Sequence, residues 1–366
     1  MADAAPSRSP IRTSLIGYGY VGRTFHAPLL LAVPGLALTV IGSSQTADVV
    51  HETAPDTVVI ADPVAAATAP DIDLVVIATP NDSHARLAIA ALEAGKHVVI
   101  DKPFTVSLGE ARAVAAAAEK SGRILSVFQN RRFDSDFLTA EAAIAGGRLG
   151  RLVQFESRID RYRPQTQDRW RERPGAGTGL WFDLGSHLAD QALKLFGIPD
   201  SVDVHTASQR AEGTAPDWFH AVLTYRGLHV ILGAGCLVSG GTNRFTLHGT
   251  EASFVKSGVD VQETQLRQGM VPGDLDWGID LDAATLIDGA TAEPEIMAAV
   301  DGDYRRYYEG VRDAILGSGL NPVPPAEALA LMALIEAGEQ SAATGRALPL
   351  SLTQAEIAAF QAARAI

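Results

Sequence analysis

Residues 11–28 read IRTSLIGYGYVGRTFHAP. Leu15 and Ile16 close an apolar run, and Gly17, Gly19 and Gly22 then satisfy G-x-G-x-x-G. Each glycine has a physical task. The first allows a tight turn, the second lets the backbone approach a pyrophosphate, and the third lets the following helix pack on the strand. The helix start adds free N–H groups and the positive end of its dipole. Gly-rich turns occur in many folds, but a strand before this one and a helix after it favour a dinucleotide site over a purely structural turn.

Working outward, Leu36 to Ile41 form a second apolar strand, Val58 to Ala61 a third and Leu74 to Ala78 a fourth. The fourth is a solid apolar run, as expected of a parallel strand buried on both faces. His84 to Ala94 read as a helix closed by Gly95, His97 to Ile100 as a strand, Ser107 to Lys120 as a helix and Ile124 to Phe128 as a strand. Alternating strands and helices imply a doubly wound parallel sheet. After Arg148 six strand-like runs, from Leu152–Arg158 to Ser253–Lys256, follow with one early helix, Gly185 to Phe196. An antiparallel second sheet is expected there. Helices at Tyr304–Leu316 and Ala326–Thr344 close the chain before a short tail. The expected layout is a lead-in at 1–10, a Rossmann domain at 11–130, and an α+β substrate and oligomerisation domain at 131–366.

The chain has 366 residues, 47% of them hydrophobic, enough to bury the cores of one or two domains. Its net charge of −13 argues against a general nucleic-acid or anionic-membrane binder, which needs clustered Lys and Arg. Cys236 is the only cysteine, which excludes an intrachain disulfide and a cysteine-based zinc site. No apolar run approaches the roughly 20 residues of a membrane span, and MADAAPSRSP lacks a secretory apolar core. The cytoplasm is the expected compartment.

Three constellations carry chemistry. Asp101-Lys102-Pro103 closes a strand at the sheet edge where open α/β folds bind ligands; that placement favours a functional Lys102 over a solvated loop lysine. Asp183 and His187 stand four apart, so on a helix they share a face. A histidine beside a carboxylate can exchange a proton near neutral pH. The competing roles are a helix cap for Asp183 and a core position for His187. A metal triad with Asp190 is set aside, because no further ligand cluster accompanies it. The third constellation is Gln129-Asn130-Arg131-Arg132-Phe133-Asp134, followed by Arg161, Arg163, Arg169, Arg171 and Arg173 interleaved with Tyr162 and Trp170. In so acidic a chain these guanidinium and amide groups suit a pocket for cofactor phosphate or a hydroxylated substrate, with some forming surface ion pairs.

Together, GYGYVG, TPNDSH (79–84), AGKHVVIDKP (94–103), QNRRFD (129–134) and DLGSHLAD (183–190) resemble the glucose–fructose oxidoreductase and inositol dehydrogenase (Gfo/Idh/MocA) family over nearly the whole chain. RYRPQTQDRWRE (161–172) and GTGLWFDLGSHLADQALKLFG (177–197) are similar to its NADP-dependent scyllo-inositol dehydrogenases. The resemblance implies a Rossmann domain plus an open-faced antiparallel sheet. It also implies that Lys102, Asp183 and His187 match the family's catalytic lysine, aspartate and histidine. Two departures stand out: Asp101 replaces the usual Glu before Lys-Pro, and Ser43-Ser44-Gln45 replaces a loop that often carries Arg for a 2′-phosphate.

The expected cofactor site comprises Gly17, Tyr18, Gly19, Tyr20, Val21, Gly22, Ser43, Ser44, Thr79, Pro80, Asn81, His84, Asp101, Lys102 and Asn130. The expected substrate site comprises Lys102, Arg131, Tyr162, Arg163, Trp170, Asp183 and His187. The expected reaction is reversible NADP- or NAD-dependent oxidation of a secondary hydroxyl on a cyclic polyol or sugar, with scyllo-inositol first and NADP favoured. The rivals are an aldose or anhydro-sugar dehydrogenase or reductase, a glycosidase using bound NAD transiently, and a non-catalytic dinucleotide sensor. A homo-oligomer is expected, because strands such as His229–Leu237 leave an apolar face with few later helices to cover it.

Overall fold

The structure, a computed structural model, describes residues 9–167, 172–173, 175, 177–211 and 213–364. Its first sheet contains β1 (Ile11–Ile16), β2 (Leu36–Gly42), β3 (Val58–Ile60), β4 (Leu74–Ile77), β5 (His97–Asp101) and β6 (Leu125–Phe128). All pairs are parallel and the order is β3-β2-β1-β4-β5-β6. The strand order reverses between β1 and β4, so a crevice opens at their carboxyl ends. Leu74 to Ile77 are fully buried, because helices cover both faces. The helices are α1 (Ala27–Ala32), α2 (Ala47–His51), α3 (Pro63–Ala67), α4 (His84–Glu93) and α5 (Leu108–Ser121). Ser107 caps α5 by accepting from the Glu110 N–H at 3.2 Å, and Gly122 ends it in the left-handed region.

After α6 (Ser135–Ala145) come β7 (Leu152–Arg158), α7 (Ser186–Phe196), β8 (Ser201–Ala207), β9 (Trp218–Tyr225) and β10 (Leu228–Gly235). β11 (Phe245–Gly249), β12 (Ala252–Lys256), α8 (Gln262–Arg267), β13 (Ala284–Asp288) and β14 (Pro294–Met297) follow. The second sheet has the order β14-β13-β12-β11-β7-β10-β9-β8. Its pairs are antiparallel except β7 with β10, which run parallel, with Glu156 opposite Ile231. The chain leaves β7 and returns through α7, β8 and β9 before pairing beside it, and that crossover restores the direction.

Three helices end the chain: α9 (Arg305–Leu316), α10 (Pro325–Thr344) and α11 (Gln354–Arg364). The expected short tail is therefore helical. α10 buries residues around its whole circumference, including Leu331 to Ile335, as a helix does between two layers. It packs on β8 and α7 on one side and on α5 and β6 on the other. The apolar face of the second sheet, with Val202, Leu223, Val230 and Leu232, is thus fully buried, contrary to the expectation that it lacks cover. The opposite face mixes half-buried polar and apolar groups, among them Glu156, His220, Val222 and Ile231.

One buried guanidinium ties these layers together. Arg132, 5% exposed, donates from Nε and Nη2 to both Asp190 oxygens on α7, at 2.7 and 2.6 Å. Its Nη1 reaches Glu327 of α10 at 2.5 Å and the Pro322 carbonyl at 3.1 Å. Such a planar fork satisfies two acids at fixed geometry, which a lysine cannot.

Candidate active site

The fingerprint turn lies at the crevice. Gly17 has a φ of +94°, and a Cβ there would collide with the Ala78 backbone. A Cβ on Gly22 would overlap the Gly17 carbonyl. Gly19 differs: a Cβ there would meet nothing within 4 Å. Two glycines are thus required by the protein's own packing, while the third faces open space beside the backbone, the feature a pyrophosphate needs. Val21 leads into a π-helical turn, Gly22–His26, before α1. Tyr18 is buried with its hydroxyl on Thr53. Tyr20 is half exposed and donates to Glu263 at 3.1 Å. After β2, Ser43 Oγ accepts from the Gln45 N–H at 3.0 Å, and the Gln45 amide donates to the Tyr18 carbonyl at 2.9 Å. Ser44 is exposed beside them.

The loops after β4 and β5 are locked to each other. His84 is fully buried, with Nε2 2.9 Å from the Thr79 carbonyl and Nδ1 3.1 Å from the Pro103 carbonyl. Burial lowers the imidazole below its ordinary range. His84 therefore positions the loop backbone from within, rather than standing at its surface. Thr79 and Ser83 join by their hydroxyls at 2.6 Å, Pro80 follows, and Asn81 donates to the Gly177 carbonyl at 3.5 Å. Asn130 is buried just beyond β6.

Lys102 follows the last residue of β5. Its Nζ donates to both the Asp183 carbonyl and Asp183 Oδ1, each at 2.9 Å, with 12% of the lysine side chain exposed. Asp183 lies in a π-helical turn, Trp181–Gly185, and His187, 5% exposed, in the first turn of α7 beyond it. Turns of this kind frequently mark functional positions. Beneath Lys102, Asp101 is buried with Oδ1 3.5 Å from His26 Nε2, while His26 Nδ1 meets the Tyr308 hydroxyl at 2.5 Å. Burial would raise the Asp101 carboxyl, yet the neighbouring His26 and Lys102 hold it below the ordinary carboxylate value.

Asp183 also lines a cleft with Arg161, Arg163, Arg210, Asp217 and Cys236. Arg161 and Arg163 are two apart on an extended segment, so both reach the cleft while Tyr162, 60% exposed, points the other way. Arg131 turns instead into an acidic cluster, with Nη1 2.9 Å from Asp134 and Nη2 3.3 Å from Glu263. Burial holds the Asp134 carboxyl well above its ordinary value despite Arg131 beside it. Trp170 lies outside the described residues. Arg210 and Asp217, on the connection between β8 and β9, were absent from the sequence expectation; their pairing at 2.8 Å depends on tertiary packing alone. His26 was visible only as a histidine four residues beyond Gly22.

Residues 11–129 match the NAD-binding Rossmann fold of an oxidoreductase family, and residues 141–352 match the C-terminal alpha/beta domain of the same family. The chain belongs to the Gfo/Idh/MocA oxidoreductase family. It is therefore an NAD(P)-dependent oxidoreductase. The Escherichia coli oxidoreductase YdgJ is 48% identical, over 91% of this chain and 96% of that protein. The scyllo-inositol 2-dehydrogenase (NADP(+)) of Bacillus subtilis is 37% identical, over 93% and 96% respectively. An oxidoreductase structure from Klebsiella pneumoniae superposes with a TM-score of 0.92 at 48% identity, covering 98% of this chain and all of that one.

The two kinds of glycine in the fingerprint respond differently to a methyl group. Gly22→Ala collides with the protein's own carbonyl and lowers the melting temperature. Gly19→Ala folds as the parent does but binds NADPH about tenfold more weakly, because the methyl occupies the phosphate approach. Thermal melts and fluorescence titration read both. Unchanged NADPH affinity in Gly19→Ala would show that the open space is not a phosphate seat.

Proposed function

We propose that this oxidoreductase reversibly oxidises a secondary hydroxyl of a cyclic polyol or sugar, of the kind handled by scyllo-inositol dehydrogenases. The observation that carries the reading is Lys102, held at the carboxyl end of β5 by the carbonyl and carboxylate of Asp183 at the cleft wall. When bound, the nicotinamide supplies hydride chemistry at its C4. The residues from Gly17 to Gly22 would hold the pyrophosphate, and those from Thr79 to Asn81, with Asn130, would flank the nicotinamide. Lys102 would donate to the substrate oxygen as it becomes a carbonyl. His187 would take the hydroxyl proton, directly or through Asp183. The nicotinamide would supply the two-electron acceptor, and the hydroxyl proton would pass to His187 or Asp183. Polar walls suit a polyol, whose hydroxyls each need a partner.

Lys102→Ala and His187→Ala should each lower kcat by about 10²-fold or more with the fold intact, as expected of proton-handling groups. Steady-state kinetics on scyllo-inositol with circular dichroism as a control checks this. Near wild-type turnover in both variants would sink the assignment.

Support for NADP comes from the end of β2. An NAD-selective site places a carboxylate there for the ribose hydroxyls, whereas this strand runs into Ser43-Ser44-Gln45 and the next acid along the chain is Asp48. Nothing acidic in that stretch repels a 2′-phosphate, and the serine hydroxyls can donate to it. Ser43→Asp keeps an acceptor for the Gln45 N–H while placing a negative charge against the phosphate. The wild type should show a higher kcat/KM with NADP, and Ser43→Asp should reverse the order. A wild type strongly favouring NAD would refute the preference.

The outer face of the second sheet, bearing Val222, Ile231 and the exposed Ile296 of β14, supports a homo-oligomer. Light scattering in the micromolar range should give a multiple of 38.5 kDa; a persistent monomer would contradict it.

A further inference from the structure

Among the described residues, two cations in the cleft have no carboxylate partner. Arg161 and Arg163 are fixed by backbone bonds along the neighbouring strand end: Arg161 N–H to the Gly235 carbonyl at 3.0 Å, Arg163 N–H to the Cys236 carbonyl at 2.7 Å, and Val238 N–H back to Arg161 at 3.1 Å. The cations nearest them are already matched. Arg210 pairs with Asp217 at 2.8 Å and Glu172 at 3.0 Å, and Lys102 holds Asp183. Among the described residues, neither Arg161 nor Arg163 meets a carboxylate within ion-pair distance. Burial, with Arg163 alongside, presses the Arg161 guanidinium below its ordinary value, and Asp183 only partly offsets this.

Two like charges held side by side on a rigid backbone destabilise the empty site, and an anion seated between them removes that cost. Planar guanidinium forks match two-oxygen anions in particular. Building on the dehydrogenase reading of this cleft, we propose that the substrate carries an anionic group, a carboxylate or a phosphoryl group, which Arg161 and Arg163 grip while a nearby ring hydroxyl meets Lys102 and His187. In a chain of net charge −13, the general field repels anions. Selection for the charged substrate thus rests on this local pair, at contact distance.

Matched compounds test this on the full chain with NADP present: D-glucose against D-glucuronate, and myo-inositol against myo-inositol 1-phosphate. Calorimetric titration should show at least one charged member binding about tenfold or more tightly than its neutral counterpart, the scale of one charge-assisted contact. Rising NaCl should erode that advantage. It should collapse in Arg161→Gln with Arg163→Gln, persist in part in Arg161→Lys, and identify carboxylate or phosphoryl by which pair responds. If the double variant fails to fold by thermal melt, the exposed Arg163→Gln alone should halve the advantage or more. Neutral members binding as well as charged ones, or an advantage untouched by the Arg variants, overturns the proposal. Turnover is scored separately. If no member is oxidised with either cofactor, the dehydrogenase reading fails, while the calorimetric ratio still decides the anion site.

Discussion

An ammonium and a carboxylate meeting across 81 residues of sequence hold the cleft together. Lys102 is delivered by the end of a parallel strand and Asp183 by a π turn leading into α7, and neither element specifies the other's position. Arg132 clamps α7 and α10 against the segment after β6, and α10 fills the space between the sheets, so tertiary packing brings the two together. An ion pair partly open to solvent contributes little stability by itself. Its importance is positional: the packing makes the pair, and the pair sets where the lysine's charge sits.

Much of this architecture was legible in the sequence. The parallel sheet could be read because its central strands are solid apolar runs punctuated by glycine, a pattern few other folds share. Lys102, Asp183 and His187 could be picked out by strand-end and helix-start placement. What was not legible depended on phase and distance. The parallel pairing of β7 with β10 follows from a crossover that no local pattern encodes. The helix Ser135–Ala145 and the short strands β13 and β14 carry little pattern to stand out, and α11, bearing one fully buried apolar residue, Phe360, reads as a polar tail. Arg161, Tyr162 and Arg163 look alike in the sequence, yet extended backbone sends the tyrosine away from the cleft that its neighbours enter. Arg131 and Arg132 are adjacent, but one turns to an acidic cluster and the other to α7 and α10.

The two π turns share a logic. Each inserts an extra residue where a helix begins, one at the end of the glycine-rich turn and one at Asp183. Phe25, Trp181 and Phe182 are buried in these two turns, so each turn is packed in place by its own apolar side chains.

The contact between His26 and Tyr308, 282 positions apart, bears on how the chain is made. Phe128 and Tyr308 pack on the imidazole, and Tyr307 meets both of them edge-on, so an early turn of the chain is sealed by a much later helix. During translation this imidazole stays uncovered until α9 has been made and docks on it. Covering His26 is thus a long-range event that the first sheet cannot complete by itself.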